Sequence, residues 1–381
     1  MKILYCFILK KNDGGTVHAK EFINAFRQNG NQLEVVSQEA ISLEKANRSL
    51  SLIDKILAKI IWLSTNIIFL VRVFFAYIRY KPQAITFRYT PNHTALLAEL
   101  LMQQVVPTVL EVNAINELEN QSSLRIKLDR FLIKRTRNIF VVSNQIKDYL
   151  VLKNYCNEKN ITVIENGVDT IFFNPNISSK KIRSKYALNN EVVIGFIGTF
   201  KAWHGVYKLL ELAELMADYP CKFFLVGDGE CKSDCENLTK SKRLTDKIIF
   251  AGFVPHTSIP EYIAAMDIVM APYPQTNYQD RKEFFFSALK IFEYMAMAKA
   301  IIVPPMGQLK EVIVDNESGQ LLYSEDTEAL KNELLKLIAD FEYRKKLGDN
   351  ARNRVESMYT WRINAQKVHN LCLKAIETFP H

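Results

Sequence analysis

The sequence has few of the residues that loosen structure: 13 glycines and 12 prolines in 381 residues. With 48% hydrophobic residues, this scarcity excludes a low-complexity or intrinsically disordered chain. Cysteine is sparse as well. The six, Cys6, Cys156, Cys221, Cys231, Cys235 and Cys372, are scattered, mostly through apolar stretches. A disulfide scaffold is therefore excluded, and reduced thiols in a cytoplasmic protein are expected. Cys231 and Cys235 have metal-ligand spacing but no second Cys or His pair, so no metal is expected. The opening MKILYCFIL lacks the layout of a secretory leader and reads as a buried strand. A strong charge imbalance is also missing. The 49 basic and 41 acidic residues leave +8, which is mild for a nucleic-acid binder. It suits phosphorylated substrates or anionic lipid.

What the chain does have is length for two ordinary domains and a repeated alternation of apolar strands with amphipathic helices. The first round of strands covers 2–9, 32–37, 84–88, 105–112, 139–143 and 161–164. A polar stretch at 176–190 reads as a linker. A second round starts at 192 and continues through 222–226, 248–253, 267–271 and 300–303. This predicts an α/β protein of two doubly wound, parallel-sheet, Rossmann-like domains. Ligands in such sheets sit at the carboxyl ends of the strands, here in a cleft between the domains.

Chemistry concentrates at 283–303, EFFFSALKIFEYMAMAKAIIV. Ser287 is a candidate N-cap, and Lys290 and Glu293 share one helical face. Free amides with a nearby lysine form an anion seat, and a carboxylate one turn further in suits sugar hydroxyls. The plainer alternative is a buried helix with one surface ion pair. Lys201 and His204-Gly205 stand just ahead of another helix, where cations complement a bound diphosphate rather than the helix dipole. Alternatively they are an exposed lysine and a turn histidine. Gly14-Gly15, between the first strand and a helix from about Thr16, forms a glycine turn of the kind that faces phosphate or sugar. His18 by itself reads as a surface residue of that helix.

Residues 60–78 are nearly all apolar, interrupted by Ser64, Thr65, Asn66 and Arg72. The length approaches that of a membrane span, but strand–helix alternation resumes straight after it, and Arg72 is costly in lipid. Trp62, Phe74, Phe75 and Tyr77, with Lys55, Lys59, Arg79 and Lys81, suit a membrane interface; a wholly buried helix is the other reading. Residues 124–138 carry six cations (Arg125, Lys127, Arg130, Lys134, Arg135, Arg137) against one acid, Asp129. This is a solvated face or a membrane-facing one.

LKIFEYMAMAKAII resembles the signature of retaining family 4 glycosyltransferases, in the variant worded SPLKLFEYMAAGKPVV. NGVD at Asn166–Asp169 with Phe173 and Pro175, GTFKAWHG at 198–205, RYTP at Arg88 and VPTVLEVNA at 106–114 resemble the same family. The resemblance implies the GT-B fold: an N-terminal domain over 1–170, a nucleotide-sugar domain over 171–360, and a final helix at 361–381 packing back on the first. It implies that Gly15, Thr199, Val254, Ala288, Leu289 and Glu293 bind the donor, with Glu293 on the ribose. Lys290, Lys201 and His204 would act on the diphosphate, and His18, Arg88 and Asn113 would face the acceptor. Where the family has a second glutamate this chain has Phe285, with Glu283 two residues away. Ala288 and Ala300 replace the prolines, Asn113 a histidine, Thr199 an arginine and His204 a lysine.

The implied activity is a retaining, metal-independent hexosyl transfer with no cofactor beyond the co-substrate. The expected donor is a UDP-sugar such as UDP-glucose, and the acceptor a polysaccharide or lipid-linked saccharide. A cytoplasmic protein on the inner face of the cell membrane, with no nucleic-acid partner, follows. A nucleotide-sugar 2-epimerase and a non-catalytic nucleotide-sugar-binding protein are the rivals.

Overall fold

A computed structural model describes residues 1–9, 14–39, 52–89, 93–115, 117, 122–274 and 287–380. Asn12, Asp13, Thr90, Pro91, Glu283 and Phe285 lie outside the described residues, as do the side chains of Lys55, Lys59 and Trp62.

The chain divides into two compact units. Met1–Asn166 and Trp361–His381 belong to the first, Gly167–Tyr278 and Ala288–Thr360 to the second. Residues 167–170 therefore go with the second unit.

In the first unit, β1 (Lys2–Leu9), β2 (Gln32–Glu39), β3 (Ala84–Tyr89), β4 (Thr108–Val112), β5 (Ile139–Val141) and β6 (Ile161–Val163) form one parallel sheet in the order β2-β1-β3-β4-β5-β6. Between the strands run α1 (Gly14–Gln28), α2 (Leu52–Tyr80), α3 (His93–Met102), α4 (Ser123–Ile133) and α5 (Asn144–Leu152). Strands of a parallel sheet are covered on both faces, so they read as unbroken apolar runs. In β1 every residue after Lys2 is buried.

In the second unit, α6 (Lys180–Lys185) precedes β7 (Val192–Ile197), α7 (Val206–Leu215), β8 (Cys221–Val226), α8 (Lys232–Ser241), β9 (Ile248–Gly252), α9 (Ile259–Ala264) and β10 (Ile268–Met270). Then come α10 (Leu289–Ala296), β11 (Ala300–Val303), α11 (Leu309–Val312), β12 (Gln320–Leu321), α12 (Thr327–Ala339) and α13 (Phe341–Met358). The sheet order is β12-β11-β10-β7-β8-β9, again parallel. The last helix, α14 (Trp361–Glu377), belongs to the first unit and packs on α1. There Asn29 donates to the Arg362 carbonyl at 3.0 Å, and His369 Nδ1 lies 2.8 Å from Asn31 Oδ1.

Three expectations are corrected. The polar stretch 176–190 is not a linker but carries α6. Lys180, Lys181 and Lys185 are exposed while Ile182 and Leu188 are buried, and Arg183 pairs with Asp267 at 2.6 Å. The strand expected from 105 begins only at Thr108, since Pro107 has no amide to give the ladder. Helix α1 begins at Gly14 rather than near Thr16, which puts Gly15 inside its first turn.

Candidate active site

In the second unit the site is built on the loop after β7. Gly198 adopts φ +152°, and a Cβ there would lie 2.4 Å from Lys290 Nζ, so only glycine lets the ammonium approach this backbone. Gly205, at φ +76°, comes so near the strand end after β10 that a Cβ would sit 1.8 Å from the Pro272 carbonyl oxygen. These two glycines seat the short 3₁₀ turn Ala202–His204 against Tyr273. The His204 ring is edge-on to Tyr273 at 5.8 Å, and Trp203 stacks on it at 6.4 Å. His204 is buried; its Nδ1 faces the Thr199 carbonyl and lies 3.2 Å from Thr199 Oγ1. A carbonyl only accepts, so Nδ1 carries a proton. The Lys201 ammonium lies over the Trp203 ring at 5.9 Å.

Helix α10 supplies the other wall. Ser287 is not its N-cap. The helix starts at Leu289 with Ala288 in the cap position, and no side chain caps the first turn. Lys290 is half-buried as a residue, but its ammonium is buried with no hydrogen-bond partner among the described residues. Among the described residues, aromatic faces attend it: Phe196 at 4.4 Å and Tyr273 at 5.6 Å. Burial pulls its pKa down to about 7, with the Glu293 carboxylate pulling the other way.

Among the described residues, Lys290 and Glu293 form no ion pair. Glu293 instead pairs with His256 Nε2 at 3.2 Å, in the loop that carries Val254. The His256 ring stacks on Phe172 at 5.8 Å. Arg352, from α13, donates to the carbonyls of Phe173 at 2.7 Å and of Thr170 at 2.9 Å, and so holds that aromatic pair in place. The arrangement runs from a cationic end (Lys290, Lys201 and the first amides of α10) to a carboxylate end beside an aromatic loop.

This geometry predicts a pH effect. A diphosphate beside Lys290 favours the charged ammonium, so binding takes up a proton wherever the free lysine is neutral. The free pKa is about 7, and the bound one is raised. Affinity for a diphosphate ligand should therefore fall, by up to about tenfold per pH unit, as pH rises above the free-protein pKa. Calorimetry in buffers of different ionisation enthalpy checks this, and an affinity unchanged through the alkaline range would contradict it.

The first unit holds a second cluster. His18 from α1, Arg88 from β3 and Tyr5 from β1 converge on Glu111 of β4, and all four are buried. Tyr5 donates to Glu111 Oε2 at 2.9 Å, and Asn113 donates to Oε1 at 2.6 Å. Arg88 lies 3.4 Å from the same carboxylate and touches His18 Nδ1. Because arginine only donates, Nδ1 is the acceptor, and Nε2 carries the proton facing Glu111 at 3.3 Å. Burial and the neighbouring Arg88 hold the His18 pKa well below its usual range, so the ring is neutral. Trp361 stands edge-on to it at 4.8 Å.

His18 is thus an interior residue rather than a surface one, and Gly15 lies one turn ahead of it in α1. His18, Arg88 and Asn113 are brought together on Glu111; in the other unit His204 meets Thr199, Lys290 and His204 both border Tyr273, and Lys201 lies over Trp203. The sequence reading missed Glu111 as the hub of its cluster, and also Tyr5, His256 and Tyr273.

Family descriptions match both halves of the chain: "Glycosyltransferase Family 4" over residues 12–172 and "Glycosyl transferases group 1" over 178–354. An uncharacterised glycosyltransferase of Methanocaldococcus jannaschii is 27% identical over 240 residues, covering 62% of this chain and 58% of that one. The capsular polysaccharide biosynthesis glycosyltransferase CapM of Staphylococcus aureus is 23% identical over 257 residues, 63% of each chain. The match thus spans about three-fifths of the length of these relatives. Among solved structures, Anabaena HepE in complex with UDP has a TM-score of 0.74 at 17% identity, covering 98% of this chain and 100% of that one. With two parallel six-stranded units and both family descriptions in register with them, the chain belongs to the glycosyltransferases of the group 1 and family 4 type and has the GT-B fold.

Proposed function

We propose that this protein transfers a hexosyl group from a nucleotide-sugar, with a UDP-sugar such as UDP-glucose as donor, to a polysaccharide or lipid-linked saccharide, with retention and without a required metal. The observation that carries the reading is the buried ammonium of Lys290, without a hydrogen-bond partner among the described residues, one helical turn from Glu293. An ammonium buried against aromatic faces is poised for an anion. Lys290, Lys201 and the first amides of α10 stabilise the charge that grows on the departing diphosphate. Glu293 accepts hydrogen bonds from the ribose hydroxyls, and Val254 lies toward the base. The bond from the anomeric carbon to the diphosphate breaks, and a bond to the acceptor oxygen forms on the same face. The acceptor proton passes to the departing phosphate, so no protein nucleophile is needed. The likeness to a capsule-building relative and to a UDP-binding structure supports the choice of acceptor and donor.

A thermal-shift panel of UDP-, GDP- and ADP-sugars tests this, since a ligand of the native state raises its melting temperature. A shift with the UDP compounds is expected. Glu293→Gln should weaken nucleotide binding by about 1.5–3 kcal/mol, the worth of a charge-assisted hydrogen bond. No shift with any nucleotide, or unchanged affinity in the variant, would remove the assignment.

A further inference from the structure

The outer surface of α2, α3 and α4 is apolar where a soluble helix is normally polar. Helix α2 buries Asn66, Phe69, Val73 and Ala76 along one inward stripe. The opposite side should then be hydrophilic. Instead Ile60, Leu63, Ile67, Val71, Phe74, Phe75 and Ile78 are each 45–64% exposed. At 3.6 residues per turn these fall on one outward arc, centred about opposite the buried stripe. Leu97 and Leu101 of α3, and Leu124, Leu128 and Phe131 of α4, are exposed too, and α3 packs against both α2 and α4.

Charge borders this surface, and among the described side chains of α2, α3 and α4 the exposed charge is cationic. The acid of the α4 run, Asp129, is buried, accepts from Tyr89 at 2.5 Å and lies 3.0 Å from His93. Glu117 is taken up by Tyr155 at 2.8 Å and Arg130 at 3.6 Å, and Glu34 by Arg79. What α4 shows to solvent is therefore cationic: Arg125, Lys127 and Arg130, with Lys134 and Arg135 just beyond it. The Arg135 guanidinium lies on the exposed Phe131 ring at 3.5 Å, joining charge to apolar surface.

We infer that this face of the first unit docks in the plane of an anionic lipid bilayer. A spanning orientation does not fit. It would strip α2 from the domain, breaking the Thr94–Asn66 bond at 2.6 Å, the bond from Gln38 to the Thr65 carbonyl at 3.0 Å, and that from Arg72 to the Ser37 carbonyl at 3.0 Å. An in-plane helix keeps these bonds and sinks the aromatic and aliphatic arc into the headgroup–acyl boundary, with the cations at the phosphates. The inference stands on the surface itself and does not depend on the identity of the donor.

Co-sedimentation of the full chain with phosphatidylcholine vesicles, with and without phosphatidylglycerol, at low and high salt, is the test. Binding should require the anionic lipid and weaken with salt. Phe74→Glu/Phe75→Glu should abolish it. Each of Lys127→Gln and Lys134→Gln should weaken it by about fivefold, the effect of one surface cation. All four residues lie on the surface, and an unchanged thermal midpoint certifies the fold. Absence of binding, or binding indifferent to lipid charge and salt, overturns the inference. So does sedimentation equilibrium showing a dimer that Phe75→Glu dissolves, because a second copy would then own the face.

Discussion

Replacing Lys290 with alanine should lower turnover by roughly 10²–10³-fold, the loss typical of removing one preorganised charge stabiliser. Binding of the nucleoside alone should change little, because Glu293 and the Val254 loop lie at the other end of the site. A second readout separates this role from a structural one. The ammonium is buried without a hydrogen-bond partner among the described residues, and its pKa is drawn from the ordinary 10.5 to about 7. Between those values the unfolded chain binds the extra proton, so stability rises with pH there, and the cost of burying the charge is fully present below the lower value. Lys290→Met should therefore raise the melting temperature of the ligand-free protein at neutral and mildly acidic pH, while still abolishing most turnover. A variant of normal rate would make Lys290 a bystander. One that lost both rate and stability would make it a packing residue.

The other large effect is expected at Glu111, and there the sign is opposite. Glu111→Ala removes the carboxylate on which Tyr5, Arg88, His18 and Asn113 converge, and leaves the Arg88 guanidinium buried beside a neutral imidazole. Breaking a buried ion pair from one side typically costs about 3–5 kcal/mol. Urea unfolding monitored through the edge-on Trp361 would report it. Arg88→Met in the same background should recover much of the loss, since the uncompensated charge goes with it, and a double-mutant cycle measures how much. A loss below about 1 kcal/mol for Glu111→Ala would show that the cluster is solvated and has no stabilising charge pair, since exposed pairs are worth no more than this. The two lysine and glutamate predictions thus distinguish a charge held for a ligand from a charge held for the fold.

Much of this architecture is visible in the amino-acid pattern because parallel strands buried on both sides leave continuous apolar runs, as in KILYCFIL and AIIV. The Lys290–Glu293 spacing is likewise a one-helix fact. Features assembled from distant segments were not legible. Nothing local in VLEVNA says that Glu111 will meet Arg88 from another strand and His18 from a helix. Nothing local in VPHTS says that His256 will meet Phe172 and Glu293. The isolation of Lys290 is set by Phe196 and Tyr273, each at the end of a different strand. Helix α6 was hidden because a single buried isoleucine among lysines, arginine and serine has too little apolar period to register. Ser287 failed as a cap because the helix starts at Leu289, leaving Ala288 in that place.

The return of α14 to the first unit has a consequence for biosynthesis. Ala365, Val368, Leu371 and Cys372 are buried on a unit whose sheet is otherwise complete by Val163. On the ribosome, the surface that receives them stays bare while the whole second unit is translated. Residues 167–360 separate the two pieces, and at about 5–20 residues per second that interval is roughly 10–40 s. The unit whose strands are made first is thus the last to be sealed, and throughout that wait the nascent chain presents a vacant apolar seat that chaperones must shield.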